Sequence, residues 1–259
     1  MLIDTHCHLD ASEFDADRTV MLQVSRLAGV GAFVVPAIGV DQFDGVHRLV
    51  RENPDVYFAL GIHPLLVDGS PDEDLVRLRK AVEGALAHPR FVGLGEIGLD
   101  FFVPGLDLKR QEHFFVEQMR LAREFDLPVI MHVRRSVDAV AKQVRRFRPV
   151  SGIAHAFNGS EQQARQLIDL GIALGFGGAM TFTRALNIRR LAAALPIEAI
   201  VLETDSPDIA PAWRHPERNT PAELPGIAQV LAGLRADSLE QVVAVTASNA
   251  RRVLPALAE

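Results

Sequence analysis

The chain has 259 residues, 48% of them hydrophobic and 23% charged, with a formal net charge of −6. These values exclude wholesale disorder and leave room for one large domain or two small ones around a sizeable core. A single cysteine, Cys7, excludes an internal disulfide framework and a cysteine-based zinc finger. The negative charge argues against a tight grip on a long nucleic-acid backbone, which calls for a basic stripe.

Apart from Lys80, Lys109 and Lys142, every cationic residue is arginine. Codon bias in an alanine-rich chain explains this, and it carries no function by itself. The charge-free stretch from Gly29 to Val40 is too short to cross a bilayer. No basic, apolar leader precedes Asp4, so no cleaved secretory signal is expected. The expectation is a soluble, cytoplasmic protein that needs neither a membrane nor an obligatory protein partner.

In chain order, short apolar runs alternate with longer segments of helical spacing. The runs begin near Leu2, Ala32, Val56, Phe91, Leu127, Ser151, Ile172 and Ala199. Helices are predicted between them over Asp15–Ala28, Gln42–Glu52, Glu73–Ala87, Leu108–Phe125, Val137–Phe147, Glu161–Leu170 and Arg184–Leu195. Two more follow, over Ala222–Leu234 and Leu239–Leu254, the last with a capping-box spacing from Ser238 to Gln241. Runs without polar alternation indicate a parallel sheet covered by helices. A doubly wound sheet fits the local pattern, but eight units in about 250 residues match a closed (β/α)8 TIM barrel. No linker divides residues 1–259, which are therefore read as one domain with an extra C-terminal helix. The basic run of Lys142, Arg145, Arg146 and Arg148 falls on a predicted helix and reads as a solvated face.

A barrel builds its active site at the C-terminal ends of its strands. Here those ends are polar: His6 and His8, His63, Glu96, His132, His155 and Asp205. His47, His88, His113 and His215 lie elsewhere. Strand alternation places Asp4, His6 and His8 on one face, with Cys7 turned away as a buried hydrophobe. It also pairs Glu203 with Asp205 and Arg134 with His132. A lone strand histidine is usually structural, but a His-x-His pair opposed by histidines and carboxylates from other strands points to metal. His6, His8, Glu96, His132, His155 and Asp205 are too many ligands for one catalytic zinc with an open position. Two divalent ions about 3.5–4 Å apart that share a carboxylate account for all six. Glu96, midway round the ring, is the bridging candidate. Imidazole and carboxylate together suit Zn or Mn and do not exclude Mg.

The segments DTHCHLD (from Asp4), GIHP (from Gly61), GEIGLD (around Glu96), PVIMHVR (from Pro128), HAFNGS (from His155) and LETDSP (from Leu202) resemble those of the TatD family of metal-dependent deoxyribonucleases. The likeness runs from residue 2 to about 254 and is greatest to the YjjV-type bacterial hydrolases. It implies a barrel with two metals, one held by His6, His8 and Asp205, the other by His132 and His155, with Glu96 bridging. Ser206 keeps the ETDSP motif intact, and Ile200 replaces a common leucine. Urease-type amidohydrolases share the His-x-His opening, but many bridge their metals with a modified lysine. None of the three lysines here lies at a strand end.

The function expected is hydrolysis of phosphodiester bonds at DNA ends or in short oligonucleotides, in the manner of a 3′–5′ exonuclease. Asp205 and Glu96 are the expected catalytic residues. Arg134 and His63 would bind phosphate oxygens, and Asp4 and Glu203 would support the ligating histidines. An amidase or lactonase is the alternative enzyme, and a metal-stabilised binding scaffold the alternative outside catalysis.

Overall fold

The computed structural model describes residues 1–257. Among the described residues eight strands and nine α-helices alternate as far as α8: β1 (Leu2–Asp4), α1 (Arg18–Leu27), β2 (Val30–Pro36), α2 (Phe43–Glu52), β3 (Val56–Leu60), α3 (Glu73–Ala85), β4 (Phe91–Asp100) and α4 (Leu108–Glu124). Then come β5 (Val129–Arg134), α5 (Val137–Phe147), β6 (Gly152–Ala154), α6 (Glu161–Asp169), β7 (Ile172–Phe176), α7 (Leu186–Ala194), β8 (Ile200–Leu202), α8 (Leu224–Arg235) and α9 (Leu239–Val253). The strands lie in the order β1 to β8, each parallel to the next. This is the expected barrel.

Closure between β8 and β1 is made by the segments just beyond the strands. Thr5 N–H donates to Leu202 O at 3.1 Å, Asp205 N–H to His6 O at 2.8 Å and His8 N–H to Ser206 O at 2.7 Å. Three of the residues that close the ring, His6, His8 and Asp205, are themselves expected metal ligands.

Two apolar layers result. The larger lies between strands and helices and includes Cys7, as expected for a side chain turned from the axis. The smaller lies inside the barrel. Every strand contributes to it: Ile3, Ala32, Ala59, Val92, Ile130, Ile153, Ala173 and Val201. Val253, Leu254 and Leu257 seal its lower end, so α9 and the turn after it plug the N-terminal mouth. Burying a side chain such as Leu254 is worth about 1.5–3 kcal/mol.

The helix starts show where local signals were overruled. α1 begins at Arg18 rather than Asp15. Its N-cap residue, Asp17, spends its carboxylate on Arg218 (2.6 and 3.0 Å) instead of on the helix. Ser160 and Gln163 form a reciprocal capping box at α6. At α9 only half of the expected box forms, with Ser238 Oγ accepting from Gln241 N–H at 3.1 Å. Lys142, Arg145, Arg146 and Arg148 are exposed on and just beyond α5. Among the described residues no helix is long and apolar enough to cross a membrane.

Candidate metal centre

Seven side chains converge at the C-terminal mouth, and Glu96 is their hub. On one side of its carboxylate, Oε2 lies 3.2 Å from His6 Nε2 and 3.5 Å from His8 Nε2. Asp205 Oδ1 completes this group at 3.5 Å from both nitrogens. On the other side, Oε1 lies 3.1 Å from His132 Nδ1, 3.0 Å from His155 Nε2 and 3.3 Å from His63 Nε2. The carboxylate therefore presents one oxygen to each of two donor groups. His6 and His155, one from each group, stack with ring centroids 3.9 Å apart.

Metal ions fit this donor set. Imidazole nitrogens and carboxylate oxygens are ligands that Zn²⁺ and Mn²⁺ accept. A tetrahedron with bonds of about 2.0–2.2 Å has edges of about 3.3–3.6 Å, and the donor atoms around Glu96 stand 3.0–3.5 Å apart. Three overlapping triads bring potential donor atoms within 4.8 Å of one another: His6–His8–Glu96, His6–His155–Asp205 and His63–Glu96–His132.

The electrostatics carry the same message. Burial alone would raise Glu96, but His63, His155 and His6 overcome it and hold the carboxylate well below its usual range. Burial likewise works against charge on His8, yet Asp205, Glu96 and Asp10 lift it to about 9. His155 is raised well above its ordinary value, with Glu96 and Asp205 outweighing its burial. Positive charge is thus what this buried centre demands, from protons or from cations.

The scaffold fixes which nitrogen of each ring faces inward. Asp100 Oδ2 lies 2.9 Å from His132 Nε2 and sets the ring so that Nδ1 faces Glu96 Oε1 at 3.1 Å. His63 is set the opposite way. The Leu65 backbone N–H donates to its Nδ1 at 3.2 Å, so the neutral ring keeps its proton on Nε2 and donates towards Glu96. Glu203 accepts from the Ala156 backbone N–H at 2.5 Å and stands 3.7 Å from His155 Nδ1.

Helix α4 holds two of these pieces. Gln111 and Gln118 are seven residues apart, two helical turns, and both are buried on its inner face. Gln118 clamps Ile62 (N–H to Oε1 at 2.8 Å, Nε2 to O at 3.1 Å), the residue before His63. Gln111 accepts from the Asp100 backbone N–H at 2.9 Å. On β4, Glu96, Gly98 and Asp100 share a face. Gly98 has φ +142°, and a Cβ there would lie 2.1 Å from His132 O. Only glycine lets β4 and β5 approach closely enough to bring Glu96 and Asp100 against His132.

All six expected ligands meet here, with His63 among them. Arg134 stands at the rim, half-exposed, 3.9 Å from Asp100 and with its guanidinium 3.9 Å from the Phe102 ring centroid. Asp4 departs from expectation. Its carboxylate accepts from Thr204 N–H (3.0 Å), Thr204 Oγ1 (2.6 Å) and His6 N–H (3.3 Å), and touches no imidazole. Asp4 is the last paired residue of β1, next to the interior Ile3, and alternation breaks beyond it, before His6; its carboxylate ties the first loop to the eighth. Sequence reasoning also missed Asp100, although its shared parity with Glu96 was a usable signal. Of the other histidines, His47 and His88 pack edge-on against Phe58.

The profile of the TatD-related DNase family matches residues 3–255. The chain is 37% identical to the uncharacterized metal-dependent hydrolase YjjV of Escherichia coli K12 over 95% of both sequences. It is 32% identical to the 3′–5′ ssDNA/RNA exonuclease TatD of Cronobacter sakazakii over 97% of both. The crystal structure of Escherichia coli YjjV superimposes with a TM-score of 0.94 at 36% identity, over 98% of each chain.

Proposed function

The chain belongs to the TatD-related DNase family and is a metal-dependent hydrolase; from that premise we propose that it hydrolyses phosphodiester bonds, removing nucleotides from the 3′ ends of DNA strands or short oligonucleotides. The observation that carries this reading is the Glu96 carboxylate, with one oxygen towards His6 and His8 and the other towards His132 and His155. In it, His6, His8 and Asp205 would hold one divalent ion and His132 and His155 a second, with Glu96 offering an oxygen to each. Zn, Mn and Mg all suit such donors. Bound there, the ions supply Lewis acidity towards water and charge neutralisation for phosphate.

The chain's own groups do the rest. Asp205 is held below the ordinary carboxylate range, because His155, His8 and His6 outweigh its burial. It is ionised at neutral pH and so orients the attacking water and accepts its proton. His63 donates Nε2–H to a non-bridging phosphate oxygen as charge develops. Arg134 meets a neighbouring phosphate at the rim as a planar, bidentate donor. Asp100 and Gln118 keep His132 and His63 in the required orientation.

Replacing Glu96 with alanine and Asp205 with asparagine tests the assignment. Each is expected to abolish metal-restored hydrolysis while leaving the circular dichroism spectrum unchanged. Undiminished turnover in either variant contradicts it.

A further inference from the structure

A cavity of about 750 Å³ opens beside the metal centre, between the segment joining β7 to α7 and the segment joining β8 to α8. Pro207 and Asp208 line it. They follow Asp205 by two and three residues, so the cavity begins within about 7–10 Å of chain from a proposed ligand. Its size falls in the range of small-ligand sites, about 300–1,000 Å³.

The walls are preformed. Gly178 packs so closely on the 209–211 backbone that a Cβ would meet Ile209 O at 2.1 Å. Thr181 Oγ1 donates to Gly178 O at 2.6 Å and accepts from Ala212 N–H at 2.8 Å, lacing the two segments together. The buried Asn219 amide donates to Thr204 O and Asp208 O at 2.8 and 2.9 Å and pins the second wall. Arg218 is wholly engaged as a strut, bonding both oxygens of Asp17 and Glu13 O.

The lining chemistry selects the occupant. Phe182 and His215 meet nearly at right angles, 78°, with centroids 5.7 Å apart, and form an aromatic corner. The Arg184 guanidinium lies 5.6 Å from the Phe182 centroid. Asp208 and Glu217 also face the cavity, and their carboxylates repel a free phosphate from its interior. An uncharged, flat, hydrogen-bonding group fits where a phosphate does not. We propose that this cavity receives the base of the 3′-terminal nucleotide, stacked in the Phe182–His215 corner beside Arg184, while its phosphodiester reaches the metal centre past Pro207. The inference rests on the nuclease reading and deepens it. A walled pocket for one terminal base accounts for attack on ends, as opposed to strand interiors.

The test uses metal-loaded protein and two 5′-labelled single strands that differ only at the 3′ terminus, one with a normal nucleotide and one with an abasic tetrahydrofuran residue. Loss of one base–aromatic stack corresponds to about 5- to 150-fold. The base-ended strand is expected to be preferred by that factor, mostly through KM. Phe182→Ala and His215→Ala are expected to bring the preference towards one, and Phe182→Tyr to restore it. A parallel calorimetric titration compares deoxyadenosine monophosphate with deoxyribose 5-phosphate, and the base-dependent part of binding is expected to vanish in Phe182→Ala. Cleavage of both strands with equal KM, or a preference untouched by Phe182→Ala, overturns the pocket and leaves the nuclease reading standing. Phe182-dependent nucleotide binding without cleavage of either strand supports the pocket and overturns the nuclease reading. Neither cleavage nor base-dependent binding overturns both.

Discussion

Asp100 Oδ2 and His132 Nε2 stand 2.9 Å apart, and this one contact decides which nitrogen of His132 faces Glu96. The carboxylate lies at the end of β4 and the imidazole on β5, so the orientation of a proposed ligand depends on the register of two strands. Asp100 is held down at about 2: its burial opposes the charge, but the bond to His132 and the backbone N–H groups of Val103 and Phe102 prevail.

Removing that contact has a measurable consequence. Asp100→Ala frees the His132 ring to adopt either tautomer and is expected to weaken metal binding about 10- to 100-fold. A competition titration against a chromophoric chelator reads this directly. Affinity equal to that of the wild type sinks the orienting role.

Binding of metal is expected to release protons. His8 is raised to about 9 and His155 well above its ordinary value, in each case by carboxylates that outweigh burial. Both rings therefore carry protons at pH 7 when no cation competes, and ligation must displace them. Affinity accordingly rises with pH up to about 9, where His8 loses its proton without help from a cation. Calorimetry in buffers of different ionisation enthalpy should show net proton release on binding; a buffer-independent heat argues against it.

Gly98 offers a test of the strand contact. Alanine at this position combines a positive φ with a Cβ 2.1 Å from His132 O. The expected loss is about 2 kcal/mol or more in urea unfolding, together with weaker metal binding. Gly84, within α3 and with nothing within 4 Å of a Cβ, is the control. There alanine is expected to stabilise by about 0.5–1 kcal/mol. Equal effects at the two sites rule out the proposed close approach.

The barrel was legible in the sequence because parallel strands buried on both faces read as apolar runs, and their polar ends stand out against them. The same contrast singled out Glu96, Asp205 and the five strand-end histidines. Other features depend on partners distant in the chain. Gln111 and Gln118 look like ordinary polar positions of α4 until Asp100 and Ile62 arrive to bond them. Asp4 was misread because alternation was carried past the last paired residue of β1, where the turn towards Thr204 takes over. His63 sits within the cluster, yet its proton position follows from the Leu65 backbone, which residue spacing does not reveal.

The most direct measurement of the central claim is a metal titration of chelated wild-type protein. It should be followed simultaneously by bound-metal analysis and by turnover on 3′-ended oligonucleotides, amides and lactones. The account predicts that activity returns as the second equivalent of divalent ion binds, with mononucleotides released from 3′ ends. Full activity at one equivalent, or turnover confined to amides or lactones, would contradict it.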